Sequence, residues 1–244
     1  MRHEIGGRDL LTAAHESLER GLYRAYYRYA ALLNRLLPNQ RTGEFALQIP
    51  PGVYRPIQNE GHIAPLIPAG GRALDVGCGC GVFALCAALR CERVLAIDVN
   101  PAALRATREN AAAHGLSNVH TQLGDAFQWG ETCALRFDAI LSNPPFAELS
   151  LPGVEKQWAT AVDFLPRLFA LANRLLAGGG VLIVHHLARR STEIEAEAAR
   201  HGLELARVVP NHQKGVGLRL LGWLSLQPGM RTAFHIFRAS DPQG

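Results

Sequence analysis

Apolar residues recur with two different periods along the chain. From about residue 9 to residue 37 they follow helical spacing, and Pro38 ends the pattern. After Gly71, short apolar runs alternate with helical stretches. The runs that suit buried parallel strands are residues 73–76, 94–97, 119–123, 137–141 and 181–184. Repeated strand–helix units predict an α/β fold, with a mostly parallel sheet that carries helices on both faces.

Residues that favour helix ends support this interpretation. Asn100 followed by Pro101 is typical of an N-cap and a first helical residue, and Gly115 is placed to end that helix. Thr192 with Glu195 three residues later predicts a capping box at the start of another helix.

Proline and glycine divide the chain into three parts. Residues 44–70 contain five prolines and interrupt the helical pattern, which predicts a structured linker packing on the core. We therefore expect a short helical N-terminal appendage over residues 1–43, the Pro/Gly-rich linker over residues 44–70, and the ligand-binding domain over residues 71–244.

Composition narrows the class of protein. The 244 residues are 48% hydrophobic and carry a formal net charge of +4, as in ordinary globular domains. No apolar run reaches the roughly 18 residues of a membrane span and the N terminus lacks a signal-peptide pattern, so we expect a cytoplasmic protein without membrane association. The odd number of cysteines favours free thiols, and Cys78 and Cys80 lack the second pair that a zinc site needs, so no metal is predicted.

The strongest chemical signal is the segment Leu74-Asp75-Val76-Gly77-Cys78-Gly79-Cys80-Gly81. Its glycines allow a sharp strand-to-helix turn and a close approach of the backbone to a ligand. The G-x-G-x-G spacing differs from the G-x-G-x-x-G that holds a dinucleotide pyrophosphate, and Asp75 would repel a pyrophosphate. A ligand with a cationic ammonium group fits this carboxylate better.

Two further carboxylates follow the next two strands. Asp98 comes about 20 residues after the glycines, where a carboxylate accepts hydrogen bonds from both ribose hydroxyls. Asp125 is placed to accept a hydrogen bond from an adenine amino group, while Val99 or Phe127 covers the ring. Because the carboxyl ends of parallel strands meet at one edge of a sheet, these residues predict a nucleoside site there.

With these residues the chain resembles the class I S-adenosylmethionine-dependent methyltransferases over roughly residues 45–240. The resemblance implies a Rossmann-like, seven-stranded, mostly parallel sheet, S-adenosyl-L-methionine as cofactor and S-adenosyl-L-homocysteine as product. The residues it assigns to the cofactor are Asp75, Gly77, Cys78, Gly79, Gly81, Asp98, Val99, Asp125, Ala126 and Asn143.

The segment Asn143-Pro144-Pro145-Phe146 carries the predicted chemistry. The Asn143 side-chain oxygen and the Pro144 carbonyl can accept both hydrogens of an NH₂ group and orient its nitrogen lone pair, so both residues are predicted to be catalytic. The motif resembles the Asn-Pro-Pro-Phe/Tyr signature of methyltransferases acting on planar nitrogens, which include ribosomal guanine N2, adenine N6 and release-factor glutamine enzymes. The residues predicted to contact the methyl acceptor are Tyr54, Pro145, Phe146 and His185.

The acceptor itself stays open at this point. Pro51-Gly52-Val53-Tyr54 resembles a segment of the small-domain and glutamine methyltransferases, but the next residues lack the Pro-Arg-Pro-Glu-Thr of the glutamine enzymes. Ala147 stands where the guanine enzymes usually have His. A small molecule, a protein glutamine and an RNA base therefore all remain possible acceptors.

Alternative interpretations also remain. His185 or His186 as a base would suit O- or C-methylation of a small molecule. A nicotinamide-dependent oxidoreductase and a non-catalytic cofactor-binding subunit are the other two alternatives. Residues 211–230 are apolar and suit a substrate cover or a homodimer contact, and the row Arg20, Arg24 and Arg28 suits either RNA phosphates or solvent.

Overall fold

A computed structural model describes residues 5–56, 59–147, 149–153, 157–211 and 231–240, with side chains from residue 17 onward. Its helices are α1 Ile5–Leu36, α2 Val82–Ala88, α3 Pro101–Ala113, α4 Ala126–Thr132, α5 Phe164–Leu175 and α6 Ser191–Arg200. None of these helices combines the length and the apolar character needed to cross a membrane. The cover or dimer contact predicted for residues 211–230 lies, except for Asn211, outside the described residues.

Nine strands form two sheets. The strands are β1 Asn39–Thr42, β2 Phe45–Gln48, β3 Arg72–Val76, β4 Arg93–Asp98, β5 Val119–Leu123, β6 Phe137–Ser142, β7 Leu176–Leu187, β8 Leu203–Asn211 and β9 Thr232–Ala239. β1 and β2 make an antiparallel hairpin, and the other seven form one sheet in the order β5-β4-β3-β6-β7-β9-β8. Only β9 runs antiparallel to its neighbours. This confirms the predicted seven-stranded, mostly parallel α/β fold.

One predicted helix boundary is confirmed and another is wrong. Asn100 caps α3, because its side-chain Oδ1 accepts a hydrogen bond from the Ala102 N–H at 2.9 Å. The capping box at Thr192 does not form, since a short 3₁₀ turn over Ala188–Arg190 leads directly into α6 and the helix starts at Ser191. Thr192 therefore lies inside the first turn.

The segment that precedes β3 belongs to the core. The β1–β2 hairpin crosses the predicted boundary at residues 43 and 44, and a 3₁₀ helix, Glu60–Leu66, lies within the predicted linker. Side chains from this segment, Phe45, Leu47, Ile49, Val53, Ile63 and Ile67, are buried in one cluster with residues of the main sheet and α2. Burial of these apolar side chains fixes the segment on the sheet.

Hydrogen bonds attach α1 to the same segment. The Asn34 side-chain amide donates to the backbone carbonyls of Pro50 and Val53, at 3.1 and 2.8 Å. The buried Arg55 Nε donates to Asn34 Oδ1 at 3.0 Å. These bonds hold the chain on either side of Tyr54, and so they place Tyr54 beside the carboxyl ends of the strands.

Candidate active site

A cavity of about 1120 Å³, counted with its open mouth, lies where β3, β4, β5 and β6 end. Parallel strands place their following residues at this edge, which is where open α/β sheets bind ligands. The predicted site residues that line it are Tyr54, Asp75, Gly77, Cys78, Gly79, Asp98, Val99, Asp125, Ala126, Asn143 and Pro145. Four others, Gly81, Pro144, Phe146 and His185, do not line it.

The glycine loop turns through left-handed backbone conformations. Gly77 and Gly79 have φ values of +74° and +57°, and a Cβ atom added at Gly79 would meet no atom within 4 Å. Gly81, at φ +89°, caps α2, and a Cβ there would lie 3.0 Å from the Thr107 side chain. The prediction that Gly81 contacts the cofactor is therefore replaced by a packing role, because this glycine allows α2 to lie close to α3.

Asp75 is a buried carboxylate with free acceptor capacity. Only 1% of the residue is exposed, and its Oδ2 atom has no hydrogen-bond partner among the described residues. Burial, reinforced by the neighbouring Asp98 carboxylate, raises the pKa of Asp75 to about 8. An unpartnered carboxylate oxygen that lines a cavity is suited to a cationic ligand group.

Asp98 ties the glycine loop to the end of β4. Its Oδ2 accepts a hydrogen bond from the Gly79 N–H at 3.0 Å, and its Oδ1 accepts one from the Asn100 N–H at 2.8 Å. Burial raises the pKa of Asp98, while these backbone hydrogen bonds oppose the rise. Each carboxylate oxygen can accept further hydrogen bonds, so the group can still receive two hydroxyls.

Asp125 is paired with a residue that the sequence did not indicate. Its Oδ1 accepts a hydrogen bond from the Phe127 N–H at 2.8 Å, which caps α4, and its Oδ2 accepts one from the Arg167 guanidinium at 2.8 Å. The same guanidinium lies 4.3 Å from the centroid of the Phe127 ring. Arg167 thus covers the place where the sequence predicted an adenine ring.

A second cavity of about 240 Å³ lies beside the first. Its lining residues are Tyr54, Asn143, Pro144, Phe146, Trp158 and Ala159. Asn143, Tyr54 and Trp158 line both cavities. The smaller cavity therefore has aromatic walls and one amide side chain, an arrangement that suits a flat polar group.

The two histidines near this site are not placed as predicted. His185 and His186 are both fully buried and line neither cavity, because β7 continues to Leu187 and pairs with β9 across them. Burial lowers the pKa of each histidine to about 3. His185 is therefore not placed for direct contact with an acceptor, and neither imidazole is suited to act as a base near neutral pH.

Trp158 and Arg167 are the lining residues that sequence analysis missed. Trp158 packs against Tyr26, Tyr27 and Tyr54, with ring centroids 5.5, 4.9 and 5.6 Å apart. Neither residue lies in a recognisable motif or directly after a strand, so only their packing brings them to the site.

The sequence matches the family model described as methyltransferase small domain over residues 62–206. It is 35% identical to the tRNA1(Val) (adenine(37)-N6)-methyltransferase of Phocaeicola vulgatus over 58% of this chain and 62% of the relative. It is 30% identical to the release factor glutamine methyltransferase of Gloeobacter violaceus over 82% of this chain and 77% of the relative.

A solved structure shares the fold. The ribosomal protein L11 methylase from Lactobacillus delbrueckii subsp. bulgaricus superposes with a TM-score of 0.57 and 17% identity, over 80% of this chain and 86% of that chain. The chain spans 62%, 46% and 32% of the lengths of three curated relatives that it matches.

Proposed function

We infer that this chain, which belongs to the methyltransferase small domain family, transfers a methyl group from S-adenosyl-L-methionine to a planar nitrogen of a macromolecule. The cofactor supplies a methyl group activated by a sulfonium. We propose that the acceptor is the NH₂ group of an RNA base or of a glutamine side chain, since a tRNA adenine and a release factor glutamine are the acceptors in the names of the two relatives.

The lining of the large cavity fits this cofactor. The unpartnered Oδ2 of Asp75 supports an ionic contact with the ammonium group of the methionine part. Gly77, Cys78 and Gly79 provide backbone close to the same part. Asp98 is the candidate partner of the ribose hydroxyls. The residues proposed to hold the adenine end are Val99, Asp125, Ala126 and Phe127.

The placement of Asn143 carries the proposal. This residue follows β6 and lines both the large cavity and the small aromatic one, so its amide lies between the proposed donor and acceptor. We propose that Asn143 Oδ1 and the Pro144 carbonyl accept the two N–H groups of the acceptor. That would turn the nitrogen lone pair out of conjugation and toward the methyl group.

The absence of a suitable base among the described residues near Asn143 supports nitrogen over oxygen as the acceptor atom. A hydroxyl acceptor needs a base before or during transfer, but burial holds the pKa of His185 and His186 near 3. An NH₂ group needs none, because the nitrogen becomes strongly acidic once it is methylated. Its proton can then pass to water.

The aromatic walls support a flat acceptor. Tyr54, Phe146 and Trp158 surround the small cavity, and Tyr54 comes from the segment that precedes β3. We therefore propose a division of labour, in which residues 71–244 hold the cofactor and residues 1–70 help to shape the acceptor site. Pro145 lies between the two cavities in sequence and is proposed to contact the acceptor.

The test is methyl transfer from labelled S-adenosyl-L-methionine by the purified chain. The acceptors offered are an unmodified tRNA1(Val) transcript, small-subunit ribosomal RNA and a release factor, with mass spectrometry to identify the product. We expect one of them to gain an N-methyl group, and Asn143→Ala to lower the rate by about 10²–10³-fold. A parental rate in Asn143→Ala would contradict the proposed mechanism, and O-methylated product would contradict the proposed acceptor atom.

A further inference from the structure

We propose that His185 is a positioning residue that fixes the orientation of the Asn143 amide, an inference that rests on the proposed function. His185 Nδ1 lies 3.1 Å from Asn143 Oδ1. The imidazole is completely buried between β6 and β9 and does not reach either cavity. Its action on an acceptor must therefore pass through Asn143.

The direction of this hydrogen bond follows from the opposite end of the Asn143 amide. The Tyr54 hydroxyl donates its single hydrogen to Glu60 Oε1 at 2.7 Å, and Glu60 is fully buried. Asn143 is hydrogen-bonded to the same Tyr54 hydroxyl. Because that hydrogen is already used, Asn143 must donate to Tyr54 through Nδ2. Its Oδ1 then faces His185, and His185 Nδ1 must carry the proton.

The far side of the imidazole agrees with this tautomer. His185 Nε2 lies 2.8 Å from Thr232 Oγ1 and 3.1 Å from Asn211 Nδ2, and both of these groups can donate. A neutral imidazole with its proton on Nδ1 presents a lone pair at Nε2 to receive them. The hydrogen bonds therefore run in one direction, from the end of β8 and the start of β9 to the Glu60 carboxylate.

The consequence for chemistry lies in the remaining lone pair of Asn143 Oδ1. An amide oxygen accepts two hydrogen bonds, and His185 uses one of them. Rotation of the amide by half a turn would place Nδ2 against the Nδ1–H of His185, donor against donor. His185 therefore excludes the orientation in which Asn143 would present N–H groups to the acceptor NH₂ and repel it.

Three variants separate positioning from packing. His185→Phe keeps a ring against Phe234, whose centroid lies 4.9 Å away, but loses the N–H. His185→Asn keeps an amide N–H near the Nδ1 position. The control is His235→Phe, because His235 is also fully buried in the sheet but bonds Ser191 Oγ at 2.8 Å.

We expect His185→Phe to lower kcat by about 10- to 100-fold, with the affinity for S-adenosyl-L-homocysteine changed by less than about threefold. His185→Asn should restore most of the lost rate, and His235→Phe should keep the parental rate. Thermal unfolding of all variants shows whether stability follows rate. Equal losses of rate in His185→Phe and His235→Phe, or no recovery in His185→Asn, would overturn the positioning role.

A second measurement needs no methyl acceptor. Nitrogen–proton NMR correlations of the histidine rings in the parent chain should show His185 protonated at Nδ1 alone. Protonation at Nε2 would mean that the Asn143 amide has the opposite orientation, and it would refute the proposal. If the parent chain methylates nothing, the proposed function fails, and the ring spectrum still decides whether His185 sets this orientation.

Discussion

Cofactor affinity should depend on pH through Asp75. The pKa of this buried carboxyl is about 8 in the free chain, so it is ionised in about 10% of molecules at pH 7 and in about 1% at pH 6. An ammonium ligand binds the ionised form and lowers the pKa, so binding releases a proton. Affinity should therefore rise by about tenfold, or about 1.4 kcal/mol, from pH 6 to pH 7.

Titration calorimetry with S-adenosyl-L-homocysteine measures both quantities. The affinity comes from the binding curve, and the number of protons released comes from repeating the titration in buffers of different ionisation enthalpy. We expect about 0.9 proton per site at pH 7, because about nine in ten free molecules are protonated there. The α-amino group of the ligand has a pKa near 8, so the rise in affinity should level off above that pH.

Asp75→Asn is the matched control for this linkage. The variant keeps the shape of the side chain but cannot ionise, so its affinity should be almost constant from pH 6 to pH 7, and no proton should be released. The affinities of parent and variant should approach one another at low pH, where Asp75 is neutral. Equal affinity of the parent at both pH values, without proton release, would refute the ionic contact.

Three further predictions concern the edges of the site. Asp98→Ala should weaken S-adenosyl-L-homocysteine binding at least tenfold by calorimetry, whereas Asp138→Ala, which also removes a carboxylate that accepts a backbone N–H, should leave it unchanged. Gly81→Ala should lower the free energy of unfolding by about 1–2 kcal/mol in urea titrations, because its φ is +89°, while cofactor affinity in the folded chain stays within about twofold. If RNA is the acceptor, replacing the exposed Arg24 and Arg28 by Gln should flatten the dependence of binding on salt by about 0.7–0.9 for each phosphate that the variant no longer neutralises, and an unchanged slope would assign both to solvent.

The residues that sequence analysis placed correctly at the cavity share one property. Asp98, Asp125 and Asn143 each lie at or directly after the end of a parallel strand, and Asp75 lies one residue before such an end. Strand ends can be recognised from apolar runs, and the parallel sheet brings them to one edge without further information. Position along the chain was therefore enough to locate this half of the site.

The other half depends on packing between distant segments. Trp158 reaches the site by packing against aromatic residues of α1, and Arg167 reaches it because α5 lies next to α4. Neither contact leaves a periodic or motif signal in the sequence. Gly81 shows the converse case, since it shares the glycine pattern of the loop although its packing against Thr107 explains its identity.

The histidines of β7 show why an irregular pattern inside a strand is informative. The sequence suggested that the strand ends at Val184, which would leave His185 and His186 at the crevice, but pairing with β9 extends it to Leu187. Polar groups buried in a sheet cost free energy unless they are hydrogen-bonded, so an apolar residue at position 185 would be the simpler solution for the core. His185 interrupts the apolar pattern where its ring can bond Asn143 on one side and Thr232 on the other. A local departure from good strand sequence is expected where the chain has a chemical requirement, and here it falls directly behind the proposed catalytic amide.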